Sequence, residues 1–227
     1  MRDGLRFCYT PPEYAPPVSP APVSQKGYVT FGSFNNLAKL TPEVIETWSA
    51  ILKAVPNARL VLKWKSLGDA EIRERLVVRF AQHGIDTARI DCRGWSTHPQ
   101  MLAEYGEIDI ALDPFPFSGG LSSCDALYMG VPVLTLPGEL PISRQTGSFL
   151  DALGLTDWIA SSREDYIDKA VALAGKADLL DCLRQNLREK MLTSQLCGGA
   201  AYARTIESAL SALHMANARL PIPSTLT

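Results

Sequence analysis

Two stretches of this 227-residue chain have the residue types and spacing to handle an anionic ligand. One is Ser118-Gly119-Gly120-Leu121-Ser122-Ser123, set between the apolar run Ile108 to Leu112 and a helical pattern carrying Ala126, Leu127 and Met129. Glycines let the backbone come close to a ligand. The first N–H groups of a helix lack intrahelical partners, and its N-terminus carries partial positive charge, which together suit a phosphate. Asp125, slightly further on, can accept hydrogen bonds from a ribose. The second stretch is Asn35 to Lys39, after an earlier strand. If the two loops adjoin, the Lys39 ammonium faces the same phosphates, and Asn36 can bond phosphate or sugar.

Bland readings stand beside these. Strand–Gly-Gly–helix turns also serve tight packing, and neither G-x-G-x-x-G nor G-x-x-x-x-G-K-[ST] occurs here. Most lysines are solvated, and asparagines commonly serve turns. His98 opens the helix before the central strand, which can bring it near the strand edge, whereas His83 and His214 read as surface residues. Asp109 and Asp113 lack a third ligand in metal spacing and read as structural caps. No Ser-His-Asp set or catalytic carboxylate pair can be argued from spacing.

Strands and helices alternate around these stretches. Strands are expected at Tyr28 to Phe34, Ala58 to Lys63, Ala88 to Cys92, Ile108 to Leu112 and Val131 to Leu136, with a last short one at Asp157 to Ala160. Thr41-Pro42 starts a helix running to about Val55, and Asp69 to His83 and Pro99 to Tyr105 supply two more. Ser122 or Ser123 is expected to cap the helix that Gly130 ends. A helix from Ile142 or Ser143 to about Leu153 follows. Helices at roughly 163–175, 178–194 and 199–216 are expected to pack on the sheet. The pattern predicts an α/β fold with a parallel sheet covered on both faces and ligands beyond the C-terminal strand ends. Leu5 to Tyr9 could finish a strand, and the proline-dense residues 11–24 read as an extended linker. The tail 217–227 reads as loose.

Composition narrows the class. Hydrophobic content of 46%, charged content of 20% and a formal net charge of −2 suit a globular protein and disfavour a general nucleic-acid or anionic-membrane binder. No apolar run reaches the ~18 residues of a spanning helix, and no signal core opens the chain, so a cytoplasmic location is expected. Five cysteines without a C-x-x-C pair disfavour a disulfide framework or structural zinc.

Phe31-Gly32-Ser33-Phe34-Asn35-Asn36-Leu37-Ala38-Lys39, then Asp109 to Phe117, then Cys124-Asp125-Ala126-Leu127-Tyr128-Met129-Gly130-Val131-Pro132-Val133 resemble the O-GlcNAc transferase family, glycosyltransferase family 41. The resemblance runs from about Phe7 to Leu213 and covers the C-terminal half of that family's catalytic region. It implies the Rossmann-like C-terminal lobe of a GT-B enzyme at 28–216, preceded at 1–27 by the end of another lobe and a connector. It implies further partners: a UDP-sugar donor, typically UDP-GlcNAc, a protein Ser or Thr acceptor, an N-terminal catalytic lobe and tetratricopeptide repeats.

Residue by residue, the resemblance gives Lys39 the donor diphosphate, with Asn36 nearby where animal members have glutamine. Ser118, Gly119, Gly120, Leu121 and Ser122 match the loop that holds the diphosphate, Leu121-Ser122 replacing a Thr-Thr pair. Asp125 matches the ribose-binding aspartate. Ser96 and His98 fall in the stretch lining the uracil pocket, and Met101 stands where a histidine is common. No metal or cofactor is implied, because a helix N-terminus and Lys39 can stabilise the departing diphosphate. A UDP-glucose-using relative and a non-catalytic UDP-binding or interaction module remain alternatives. A Rossmann oxidoreductase is disfavoured, since no dinucleotide fingerprint follows the first strand.

Overall fold

The computed structural model describes residues 5 and 7–218. In chain order the elements are α1 (Pro22–Lys26), β1 (Thr30–Ser33), α2 (Pro42–Ala54), β2 (Arg59–Lys63), α3 (Ala70–Gln82), β3 (Ile90–Arg93), α4 (His98–Glu104), β4 (Ile110–Leu112), α5 (Leu121–Tyr128), β5 (Val133–Leu134), α6 (Gln145–Ala152), α7 (Arg163–Ala174), α8 (Ala177–Leu192) and α9 (Gly199–Ala218). Every strand pairing is parallel, in the order β3-β2-β1-β4-β5. This is a Rossmann-like sheet, and its order reverses direction between β1 and β4.

Local chemistry explains the helices. Thr41 caps α2 through its hydroxyl on the Val44 N–H, Pro42 starts it, and Val44, Ile45, Trp48, Ile51 and Leu52 are buried. Asp69 caps α3, which buries Leu76 and Phe80. Helix α2 packs on α3 and α7, and α5 packs on α8. Gly130 has φ +76°, which stops α5 and lets α8 approach: a Cβ there would meet the Arg184 carbonyl at 2.7 Å.

Several expectations are corrected. The last strand, Asp157 to Ala160, is instead a 3-10 turn at Thr156–Trp158 followed by a single parallel bridge between Thr135 and Ile159. Ser162 caps α7 two residues beyond Ala160, so no room remains for more ladder. Neither Ser122 nor Ser123 caps α5, whose N-cap is Gly120 with no side-chain cap. Their hydroxyls turn sideways to Asn35 and Thr146. Residues 7–9 form no strand; Tyr9 donates its N–H to the Leu196 carbonyl at 2.8 Å.

The proline-dense segment is strapped to the lobe. Arg188 donates to the Pro16 carbonyl, and Asp181 accepts from the Ala21 N–H and the Ser24 hydroxyl. The segment ends in α1, whose Val23 N–H is held by Asp109; that carboxylate also takes the Thr30 N–H, so it caps as expected. Of the three late helices expected on the sheet, α7 packs on β5, α8 packs on α5, and α9 meets the turn at Gln195–Cys197 and leaves Leu210, Leu213 and Met215 exposed. Most of the 217–227 tail lies outside the described residues. Among the described residues, no helix is long and apolar enough to cross a membrane.

Candidate functional site

Parallel strands aim their carboxyl ends the same way, so the loops after β1 and β4 meet where the strand order reverses. Lys39, closing a 3-10 turn at Leu37–Lys39, donates to the Ser118 carbonyl at 2.9 Å and to Asn35 Oδ1 at 3.2 Å. Its ammonium also lies 4.5 Å from the centre of the Phe117 ring. Burial lowers its pKa from the ordinary lysine value, while the Asp113 carboxylate holds it up. A half-buried cation thus sits beside the start of α5, and the two loops adjoin as the sequence suggested.

The Gly119 turn is held from below. Its N–H donates to Asp113 Oδ1 at 2.6 Å, and the Thr135 hydroxyl donates to Oδ2 at 2.7 Å. A Cβ at Gly119 would fall 2.1 Å from Ser123 Oγ and 2.9 Å from Asp113 Oδ1. Only glycine lets the chain pass here without moving its neighbours. Ser118 is buried and donates its hydroxyl to the Ile142 carbonyl at 2.8 Å, while Leu121 stands exposed.

Asn36 and Asn35 take different places in the loop. Asn36 is exposed, and its Oδ1 accepts the Ala38 N–H, which is the turn role. Asn35 is the residue aimed inward: its Oδ1 takes both Lys39 Nζ and, at 3.1 Å, the Ser122 hydroxyl. Adjacent asparagines carry no sequence signal to tell them apart.

Asp125 lies on α5 and is only 1% exposed. Tyr9 donates its hydroxyl to Oδ1 at 2.7 Å, and His98 Nε2 lies 3.2 Å from Oδ2. Burial pushes the Asp125 carboxyl up, and both partners pull it back. The His98 side chain, 32% exposed, thus lies between Oδ2 and solvent. Tyr9 and Tyr14, which bonds His98 Nδ1 at 2.8 Å, were not legible as site residues.

Ser96, His98 and Met101 share one cleft of about 290 Å³ with Phe34, Trp64 and Trp95. The wall is aromatic and apolar, with Ser96 Oγ buried and Lys63 held by Glu104 at 2.8 Å. Its volume is at the small end of ligand pockets and suits a planar heterocycle. No group of three His, Cys, Asp or Glu side chains is gathered for a metal ion among the described residues. Lys39, the Gly119-Gly120 turn, Asp125 and this cleft therefore lie along one sheet edge.

Comparison with known proteins identifies the family of the chain. The profile of glycosyl transferase family 41 matches residues 24–206. A Petunia hybrida protein named probable UDP-N-acetylglucosamine–peptide N-acetylglucosaminyltransferase SPINDLY is 42% identical over 89% of this chain, which spans 22% of that relative's length. The Caenorhabditis elegans UDP-N-acetylglucosamine–peptide N-acetylglucosaminyltransferase is 30% identical over 80% of the chain and 16% of its own length. A mutant O-GlcNAc transferase from Thermobaculum terrenum superposes with TM-score 0.78 at 33% identity, covering 88% of this chain and 38% of that one. Sucrose-phosphate synthase from Thermosynechococcus elongatus shares the fold (TM-score 0.61, 16% identity, 92% and 52% covered). The architecture is that of a GT-B lobe, and the chain belongs to glycosyl transferase family 41.

Proposed function

We propose that residues 28–216 form the donor-binding lobe of a glycosyltransferase that moves N-acetylglucosamine from UDP-GlcNAc to protein Ser or Thr hydroxyls with inversion. The observation that carries this reading is the Lys39 ammonium against the Ser118 carbonyl at the N-terminal end of α5. In the proposed reaction the acceptor oxygen forms its bond to the anomeric carbon as the bond to UDP breaks, and the hydroxyl proton passes to water or to the departing diphosphate. The electron pair passes to the β-phosphate, where negative charge grows. Lys39 and the first amides of α5 stabilise that charge without a metal ion. The cleft at Ser96, His98 and Met101 takes the base, and Asp125 the ribose. In this reading a second lobe completes the cleft and handles the acceptor; the chain spans 22% of the length of its Petunia relative.

Calorimetric titration of the chain with UDP, UDP-GlcNAc, UDP-glucose and GDP, in the presence of a chelator, tests the reading. It predicts binding of UDP and UDP-GlcNAc without metal and weaker binding of the other two. Equal preference for UDP-glucose supports the UDP-glucose alternative. Failure of every uridine nucleotide, or strict dependence on a divalent cation, contradicts the proposal.

A further inference from the structure

The carboxylate assigned to the ribose is held by a residue that precedes the sheet altogether. Tyr9, separated from Asp125 by 116 positions, is 5% exposed, and its hydroxyl donates to Oδ1 at 2.7 Å. Its backbone N–H is tied to the Leu196 carbonyl, and its ring lies 6.0 Å from the Tyr128 ring. The opposite oxygen, Oδ2, faces His98, and His98 in turn bonds the exposed Tyr14, whose ring meets the imidazole edge-on at 5.7 Å. A carboxylate only accepts, so His98 Nε2 carries the shared proton, and in a neutral ring Nδ1 accepts from Tyr14.

The two sides of Asp125 differ in kind. Tyr9 is buried and held at both its backbone and its hydroxyl, whereas His98 is partly solvated and Tyr14 exposed. We propose that Tyr9 is a positioning residue for donor recognition. It fixes the Asp125 carboxylate so that Oδ2 meets a ribose hydroxyl, while Tyr14 and His98 form a latch that the ribose displaces. This rests on the donor-site reading above. The segment before the sheet is then part of the nucleotide site, and its docking and nucleotide affinity are coupled.

The test is calorimetric titration of wild type, Tyr9→Phe and Tyr14→Phe with UDP and with its 2′-deoxy and 3′-deoxy analogues. Wild type should prefer UDP over at least one deoxy analogue by about tenfold, the loss expected for one hydrogen bond to a charged group. Tyr9→Phe should bring that ratio close to one while affinity for the weaker analogue is retained, a selectivity change that general destabilisation does not produce. Tyr14→Phe, on the surface, leaves the fold intact and should strengthen UDP binding about threefold by weakening the latch. An unchanged ratio in Tyr9→Phe, or weaker UDP binding in Tyr14→Phe, overturns the inference. Wild type that binds UDP without ribose discrimination overturns it too but leaves the nucleotide site standing. Wild type that binds no UDP overturns both.

Discussion

Lys39 Nζ lies 2.9 Å from the carbonyl oxygen of Ser118, a residue 79 positions away. The contact joins the loops after β1 and β4 at the point where strand order reverses, and it places a half-buried cation beside a helix N-terminus. The ammonium has three donors, and among the described residues Asn35 and Ser118 accept hydrogen bonds from it. In the proposed donor site, a diphosphate at α5 would meet a charge already oriented, which is what stabilising a leaving group requires.

Gly119→Ala is expected to destabilise the protein by about 1–3 kcal/mol, the usual cost of overpacking. Its Cβ would sit 2.1 Å from Ser123 Oγ, which is itself bonded to Thr146, and close to the Asp113 carboxylate. Urea unfolding measures this directly, and stability equal to wild type would show that the turn has slack.

Arg184 should be among the most sensitive positions distant from the site. Its buried guanidinium donates to the carbonyls of Tyr105 at 3.2 Å, Met129 at 3.1 Å and Ile108, joining α8 to the approaches of β4 and β5. Burial lowers its pKa to about 10, and Asp109 and Asp181 counter that. Arg184→Met leaves these carbonyls without their donor and is expected to cost about 3–5 kcal/mol, read as a large drop in Tm. A drop of only a degree or two would contradict it.

Asp113 makes stability depend on pH. Burial raises its pKa from 3.8 to about 6, against the Thr135 hydroxyl, the Gly119 N–H, Thr146 and Lys39, which lower it. Between those values the unfolded chain has released a proton that the folded chain keeps. Its contribution to stability therefore falls as pH rises through that window, by on the order of 3 kcal/mol in total. Asn cannot titrate, so Asp113→Asn should gain on wild type between about pH 4 and pH 7 in paired denaturation curves. A constant difference would mean that Asp113 ionises normally in the fold.

Much of this was legible in the sequence because it is local. Thr41-Pro42, Asp69 and Gly130 punctuate the helices as their chemistry dictates, and the apolar runs fall on the strands. The Lys39 and Gly119-Gly120 loops could be placed together because parallel topology sends both to one edge. What remained hidden depends on distant partners. Asn35 rather than Asn36 points inward because Lys39 and Ser122 converge on it from two loops. Tyr9 matters only because its segment folds back on Asp125, which no spacing rule foretells. The bridge at Ile159 is short because Ser162 begins the next helix at once.

The most direct test of the central claim is calorimetric titration of UDP into wild type, Lys39→Ala and, as a control, Lys53→Ala, an exposed lysine on α2. The account predicts that wild type and Lys53→Ala bind alike. Lys39→Ala should lose about tenfold or more in affinity, about 1.4 kcal/mol for each factor of ten, with its thermal unfolding intact. UDP affinity in Lys39→Ala equal to wild type would contradict the assignment of the β1 and β4 loops as the diphosphate site.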